Sequence, residues 1–176
     1  MLNGISTETG NNRMRDLAAE VAQALIQRNA RMATAESCTG GWVAQLLTQI
    51  PGSSNWFDSG YVTYSNAAKK RMLGVKEETL QSKGAVSESV VAQMAEGARH
   101  SAEVDITVAI SGVAGPDGGT NQKPVGTVWF AWAIRDQPTV TCLSFFSGDR
   151  QSIREQAVEQ ALQGVLAYLP NLGISE

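Results

Sequence analysis

The sequence predicts an α/β protein: a three-layer α/β/α sandwich built on a mixed five-stranded sheet. Three observations carry that prediction. Five β-rich runs are interleaved with at least five helical patterns, an alternation that places helices on both faces of a sheet. The run over 125–134 is apolar at consecutive positions, as in Val128, Trp129, Phe130, Ala131 and Trp132, so that strand must be covered on both sides. The break at Asp136, Gln137 and Pro138 is short enough for a hairpin, which makes the last two strands antiparallel neighbours.

Each element has its own signal. A helix is expected from about Arg13 to Asn29, where Leu17, Val21, Ala24 and Leu25 form one apolar stripe. The polar residues 1–12 before it are expected to be a disordered tail, leaving a single domain over 13–170. Residues 32–36 read as a short strand, and 40–49 as a helix with Val43, Leu46, Leu47 and Ile50 inward, ended by Pro51 and Gly52. Residues 56–64 form a second strand. A helix then opens near Ser65 and Asn66 and closes at Gly74, and Ser87 caps another that runs to about His100. Strands follow over 104–111, 125–134 and 139–146. Ser147, Gly148 and Asp149 open a last helix with Ile153, Ala157, Val158, Ala161, Val165 and Leu169 on one side.

Composition narrows the function classes. A chain of 176 residues buries roughly two-thirds of its unfolded surface and needs neither disulfides nor metals to hold a core. A net charge of -3 and a pI near 5.2 argue against nucleic-acid binding, which needs clustered Lys and Arg, and favour a small-molecule partner. Cys38 and Cys142 have no metal-like spacing, and no run approaches the roughly eighteen apolar residues of a membrane span. Residues 1–12 lack the basic start and apolar stretch of a signal peptide. A soluble, reduced, cytoplasmic protein with no membrane partner is expected.

The chemistry concentrates at TAESCTGG (34–41), where a strand hands over to a helix and Ser37 and Cys38 stand side by side. Exposed N–H groups at such a turn, backed by the positive end of a helix dipole, suit an oxyanion or a phosphate. Helix N-termini also lower thiol pKa values, so the residues alone leave open which of the two is the nucleophile. His100, the sole histidine, lies among Arg99, Ser101 and Glu103 and reads as a solvated surface residue, which removes a Ser-His-Asp triad. No phosphate-binding P-loop, dinucleotide fingerprint or zinc cluster is present, so no metal or other cofactor is expected.

A serine without histidine needs another base, and a lysine of lowered pKa is the usual substitute. Lys69 offers one. If Ser65 or Asn66 caps a helix, Lys69, Lys70 and Arg71 crowd its start against the macrodipole, and the helix end and adjoining cations would depress the pKa of Lys69. The alternative is a solvated basic turn. The loop from Ser111 to Thr120 carries Gly112, Gly115, Gly118 and Gly119 and could hold an anion in a nest of N–H groups, or simply connect two strands. Arg150, at the start of the last helix, could clamp a phosphate, though an ordinary capping sequence explains that segment equally well. Cys142 alternates into the apolar side of its strand and reads as core.

TAESCTGG (34–41), PGSSNWFDSGYVTYSNAAK (51–69), LGV (73–75), GAVSE (84–88), ISGVAGPDGGT (110–120), KPVGTVW (123–129) and FSGDR (146–150) together resemble the CinA C-terminal domain family. The resemblance implies the same fold, a three-layer α/β/α domain with a mixed five-stranded sheet. It implies nicotinamide mononucleotide deamidase activity, which hydrolyses the carboxamide of that nucleotide to nicotinic acid mononucleotide and ammonia in pyridine-nucleotide (NAD) recycling. It also implies a homodimer, and a stand-alone form lacking the extra N-terminal domain that many relatives carry. On matching motif positions the catalytic set falls at Ser37, Lys69 and a supporting Tyr64, which favours Ser37 over Cys38. Substrate-binding positions are expected at Glu36, Thr39, Gly40, Asn66, Ser111, Gly112, Gly115, Gly119 and Arg150, with oxyanion donors near Thr39 and Gly40. Two other readings stay open: a non-catalytic nucleotide-binding or interaction module of the same fold, and an amidase for another substrate.

Overall fold

The computed structural model describes residues 4–173, with side chains described from Asn12 onward. In chain order the elements are α1 (Gly4–Gln27), β1 (Met32–Glu36), α2 (Trp42–Thr48), β2 (Phe57–Val62), α3 (Asn66–Leu73), α4 (Glu77–Lys83), α5 (Glu88–Ala102), β3 (Ile106–Gly112), β4 (Thr127–Ile134), β5 (Val140–Phe145) and α6 (Arg150–Tyr168). Short 3₁₀ turns at Ser53–Asn55 and Leu169–Asn171 complete the path. None of the described helices is long and apolar enough to cross a membrane.

The strands lie in the order β2-β1-β3-β4-β5. β1 pairs in parallel with both β2 and β3, whereas β3–β4 and β4–β5 are antiparallel, so the sheet is mixed. Strand β1 passes to β2 on one side, and the chain then returns from β2 to β3 on the other. Because both crossovers are right-handed, opposite travel places their helices on opposite faces. Helix α2 accordingly joins α1 and α6 on one face, over Met32, Ile106, Val108, Ile110, Phe130 and Trp132. The second crossover, α3 to α5, covers the other face.

That second face is built from small residues. Ala35, Ala109, Ala131 and Ala133 lie beneath α5, and Thr107 Oγ1 donates to Ala95 O at 2.7 Å across the gap. Helix α3 packs on α5 at Gly97, where a Cβ would stand 2.0 Å from Leu73 O.

The structure differs from the sequence reading in two places. Backbone within the segment expected to be a tail is helical from Gly4, and residues 1–3 of that segment lie outside those described. Among the described side chains the apolar stripe of α1 begins at Met14, and the sequence before it is too polar for hydrophobic periodicity to carry a signal. Helix α4 was not anticipated, because seven residues with Leu80 as the sole buried side chain leave no stripe to read. The five strands fall within two residues of their expected bounds.

Gly97→Ala tests how closely α3 is held. The gain in helix propensity is outweighed by a collision with backbone that no rotamer relieves, so stability should fall by about 1–3 kcal/mol, read as a lower urea midpoint.

Candidate active site

Parallel pairing brings the carboxyl ends of β1, β2 and β3 to one edge of the sheet, where α/β folds place their ligands. Ser37 extends β1 there, its N–H donating to Ile110 O at 3.0 Å, and Thr63 N–H donates to Glu36 O at 2.9 Å. Strand alternation then sends adjacent side chains to opposite faces. Glu36 turns to α2, and Ser37 turns to α3.

Glu36 is fully buried, yet its charge is matched: Oε2 accepts from the N–H groups of Gly41 (3.0 Å) and Val43 (3.1 Å), and Oε1 from Ala44 (2.9 Å). A carboxylate held by three N–H groups at a helix start is stabilised by both the hydrogen bonds and the dipole. The residue expected to touch substrate is thus the cap of α2, and the N–H groups at the start of that helix are already bonded within the protein. Gly40 N–H donates to Ser37 O at 3.0 Å, and Thr39 is completely buried. Gly40 N–H is thus engaged, whereas Thr39 N–H makes no backbone hydrogen bond among the described residues. Cys38 N–H makes no backbone hydrogen bond among the described residues.

Lys69 is placed by local rules. The chain leaves β2, Ser65 Oγ caps α3 by accepting from Ala68 N–H at 3.1 Å, and Lys69 projects one turn in toward the sheet. The side chain is 1% exposed, with Nζ 3.1 Å from Ser37 Oγ, 2.8 Å from Thr63 O and 3.5 Å from Tyr64 O. No carboxylate pairs with it among the described residues. Burial lowers its pKa, opposed weakly by the Cys38 sulfur. The leading cause is therefore loss of water, and the flanking cations are not among the contributors. Lys70 is exposed and paired with Glu77, so the solvated turn applies to Lys70 and not to Lys69.

The geometry sets the two adjacent candidates in different surroundings. Cys38 packs into the apolar cluster beneath α2 and α6, and burial pushes its thiol up to about 11. Ser37 is 9% exposed and reaches Lys69.

Tyr64 departs from expectation: its side chain is 61% exposed, and its hydroxyl accepts from Arg150 Nη2 at 3.0 Å rather than meeting Lys69 or Ser37. Arg150 Nη1 donates to Gly115 O at 2.9 Å, which joins the tyrosine, the last helix and the glycine loop. Asp149 caps α6 through Ser152 N–H at 2.8 Å, which frees Arg150 to reach back. Asn66 is exposed at the start of α3. Ser111 is buried and its Oγ donates to Ala85 O at 2.8 Å, a tie to the segment before α5. The glycines are explained largely by packing. A Cβ at Gly112 would meet Val128 at 2.7 Å, at Gly115 the Val125 side chain at 2.6 Å, and at Gly119 Val125 N at 2.9 Å. The described residues hold no cluster of metal-ligating side chains.

The CinA C-terminal domain pattern matches residues 14–169. The chain belongs to the CinA C-terminal domain family. It is 58% identical over 147 residues to the nicotinamide-nucleotide amidohydrolase PncC of Shigella flexneri, covering 84% of this chain and 89% of that protein. The Escherichia coli K12 protein of the same name matches to the same extent. Among solved structures, a competence damage-inducible protein A from Klebsiella pneumoniae superposes with a TM-score of 0.87 at 44% identity, covering 91% of this chain and 99% of that one.

One residue at this family site was missed in the sequence. Arg154 Nε donates to Cys38 O and Nη2 to Thr39 O, both at 3.0 Å. The available signal was its spacing: Arg150 and Arg154 stand four apart on α6, hence on one face, near the start of a helix.

Two measurements check this electrostatic picture. Because the folded-state pKa of Lys69 lies below the ordinary 10.5, only the unfolded chain holds that proton in the window between the two values, and parent stability rises with pH there. Lys69→Met removes this slope. Its stability relative to the parent should therefore decrease as pH rises toward 10.5 in urea titrations, since other titrations are shared by both proteins. Separately, in a Cys142→Ser background, iodoacetamide should leave Cys38 unmodified at about pH 8, where a thiol near 11 is only about 10⁻³ ionised. Rapid labelling of the folded protein would contradict the burial of this thiol.

Proposed function

We propose that the chain hydrolyses the carboxamide of nicotinamide mononucleotide to nicotinic acid mononucleotide and ammonia, by serine–lysine catalysis, in the recycling of pyridine nucleotides. The observation that carries the chemistry is the 3.1 Å approach of Lys69 Nζ to Ser37 Oγ in a buried site where the lysine has no anionic partner among the described residues. A buried ammonium without a counter-ion is disfavoured, which favours the neutral amine that can accept the serine proton. The substrate is inferred from the relatives, named nicotinamide-nucleotide amidohydrolases at 58% identity.

In this mechanism Ser37 Oγ attacks the carboxamide carbon as its proton passes to Lys69 Nζ. The tetrahedral intermediate collapses when Lys69 returns that proton to the departing nitrogen, which leaves as ammonia. Water, deprotonated by the same amine, then attacks the acyl ester; the carboxylic acid departs and Ser37 recovers its proton. Thr63 O, 2.8 Å from Nζ, holds the amine in place through each transfer. The Cys38 N–H, next to the nucleophile, is the oxyanion donor in this reading.

The phosphate belongs at the other end of the site. Arg150 is exposed, is fixed by Tyr64 and Gly115, and adjoins a loop in which the N–H groups of Gly115, Gly118 and Gly119 make no hydrogen bond among the described residues. Tyr64 contributes by orienting Arg150 and, through its carbonyl, by facing Lys69. We further infer a cytoplasmic homodimer; both cysteines are free, and Leu143 and Phe145 on edge strand β5 are exposed where a second copy could cover them.

Ammonia release from nicotinamide mononucleotide tests the reading. Ser37→Ala and Lys69→Arg should each lose on the order of 10³-fold or more in kcat, since guanidinium keeps its proton and cannot act as the base. For the parent, kcat/KM should rise with pH through an apparent pKa below 10.5. A fully active Lys69→Arg enzyme would refute the mechanism, and no release from the parent would refute the substrate.

A further inference from the structure

We propose that Arg154 is a positioning residue for this hydrolysis: its guanidinium clamps the turn that carries Ser37 and keeps the serine aligned with Lys69. The inference rests on the serine–lysine reading above.

The turn needs such a clamp. It runs from Ser37 to Gly41, and its last two residues are glycines in the left-handed region, with φ of 63° at Gly40 and 93° at Gly41. Glycine at such positions rotates at little cost, so the segment is fixed by its hydrogen bonds rather than by its own backbone preference. At one end Ser37 N–H is held by Ile110 O of β3. At the other, Gly41 N–H is held by the Glu36 carboxylate. Between these anchors lie the carbonyls of Cys38 and Thr39.

Arg154 holds both, at 3.0 Å each, through Nε and Nη2. The rigid fork of a guanidinium fixes two carbonyls in one geometry, which a flexible ammonium cannot do. Trp42 supports it from α2, the guanidinium carbon lying 5.2 Å from the ring centroid. Thr39 O also accepts from Trp42 N–H at 3.3 Å, whereas Cys38 O has Arg154 as its sole hydrogen-bond donor among the described residues. A trans peptide is planar, so fixing Cys38 O also fixes the plane of the Cys38–Thr39 peptide, one link beyond the nucleophile. No carboxylate pairs with Arg154 among the described residues, so its charge is spent on this turn and on the ring.

The test compares Arg154→Ala and Arg154→Lys with the parent on nicotinamide mononucleotide, with Ser37→Ala and Lys69→Arg assayed alongside. Loosening the nucleophile by a fraction of its reach should lower kcat by about 10²-fold in Arg154→Ala. KM should stay within about threefold, because the substrate contacts are untouched. Guanidinium ion at non-denaturing concentration should restore part of kcat by entering the space beside Trp42. A variant that is merely less stable would instead lose activity further when the denaturant is added. Arg154→Lys keeps the charge but not the fork and should be intermediate; it carries the same test if the alanine variant does not fold. A folded Arg154→Ala with parental kcat, or a loss confined to KM, would overturn the proposal. If Ser37→Ala or Lys69→Arg keeps parental activity, the serine–lysine reading fails first. If both are inactive and Arg154→Ala is not, only the positioning role fails.

Discussion

The structure around the site depends on one buried charge. Glu36 sits at the end of β1 with no exposed surface and accepts three N–H bonds from the start of α2. Helix α2 has seven residues and no side-chain cap of its own at Gly41, far too short to persist by propensity alone. The carboxylate supplies its cap, sets the angle at which strand becomes helix, and so shapes the turn that presents Ser37. Removing either partner would leave an uncompensated buried group, which is why the two must be kept together.

Filling that helix start with the protein's own anion has a chemical result. The positive end of α2 is occupied by Glu36, so the cationic side chains near the turn come from elsewhere in the chain. Lys69 arrives from α3, while Arg150 and Arg154 arrive from α6. The sheet brings them together because three parallel strands end at one edge, and because the alanine-lined face beneath α5 lets the α3 side pack close.

Much of this was legible in the sequence, for identifiable reasons. Strands with strong β-rich runs and helices with stripes announced themselves. The Ser65 cap fixed the phase of α3, which separates buried Lys69 from exposed Lys70. Other features depend on contacts far apart in the chain. Whether Glu36 would meet a ligand or the helix beyond it turns on a local fold-back that residue type does not specify. The outward direction of Tyr64 follows from Arg150, 86 positions away. Gly112, Gly115 and Gly119 looked like room for a ligand, yet the neighbours that exclude a Cβ there are Val125 and Val128 on the return strand and the segment leading into it. The depressed basicity of Lys69 was foreseen but its origin was not, because adjacency of cations is visible in a sequence and exclusion of water is not.

That origin has a consequence for how the site is used. A pKa set by neighbouring charges would respond to ionic strength, whereas one set by dehydration responds to whatever covers the amine. A bound ring that shuts out the remaining solvent makes the ammonium form still less favourable, and the relation is reciprocal: protons and substrate are antagonists at Lys69, each weakening the hold of the other. In the proposed mechanism the empty enzyme is then the more readily protonated form, and filling the pocket itself favours the neutral base.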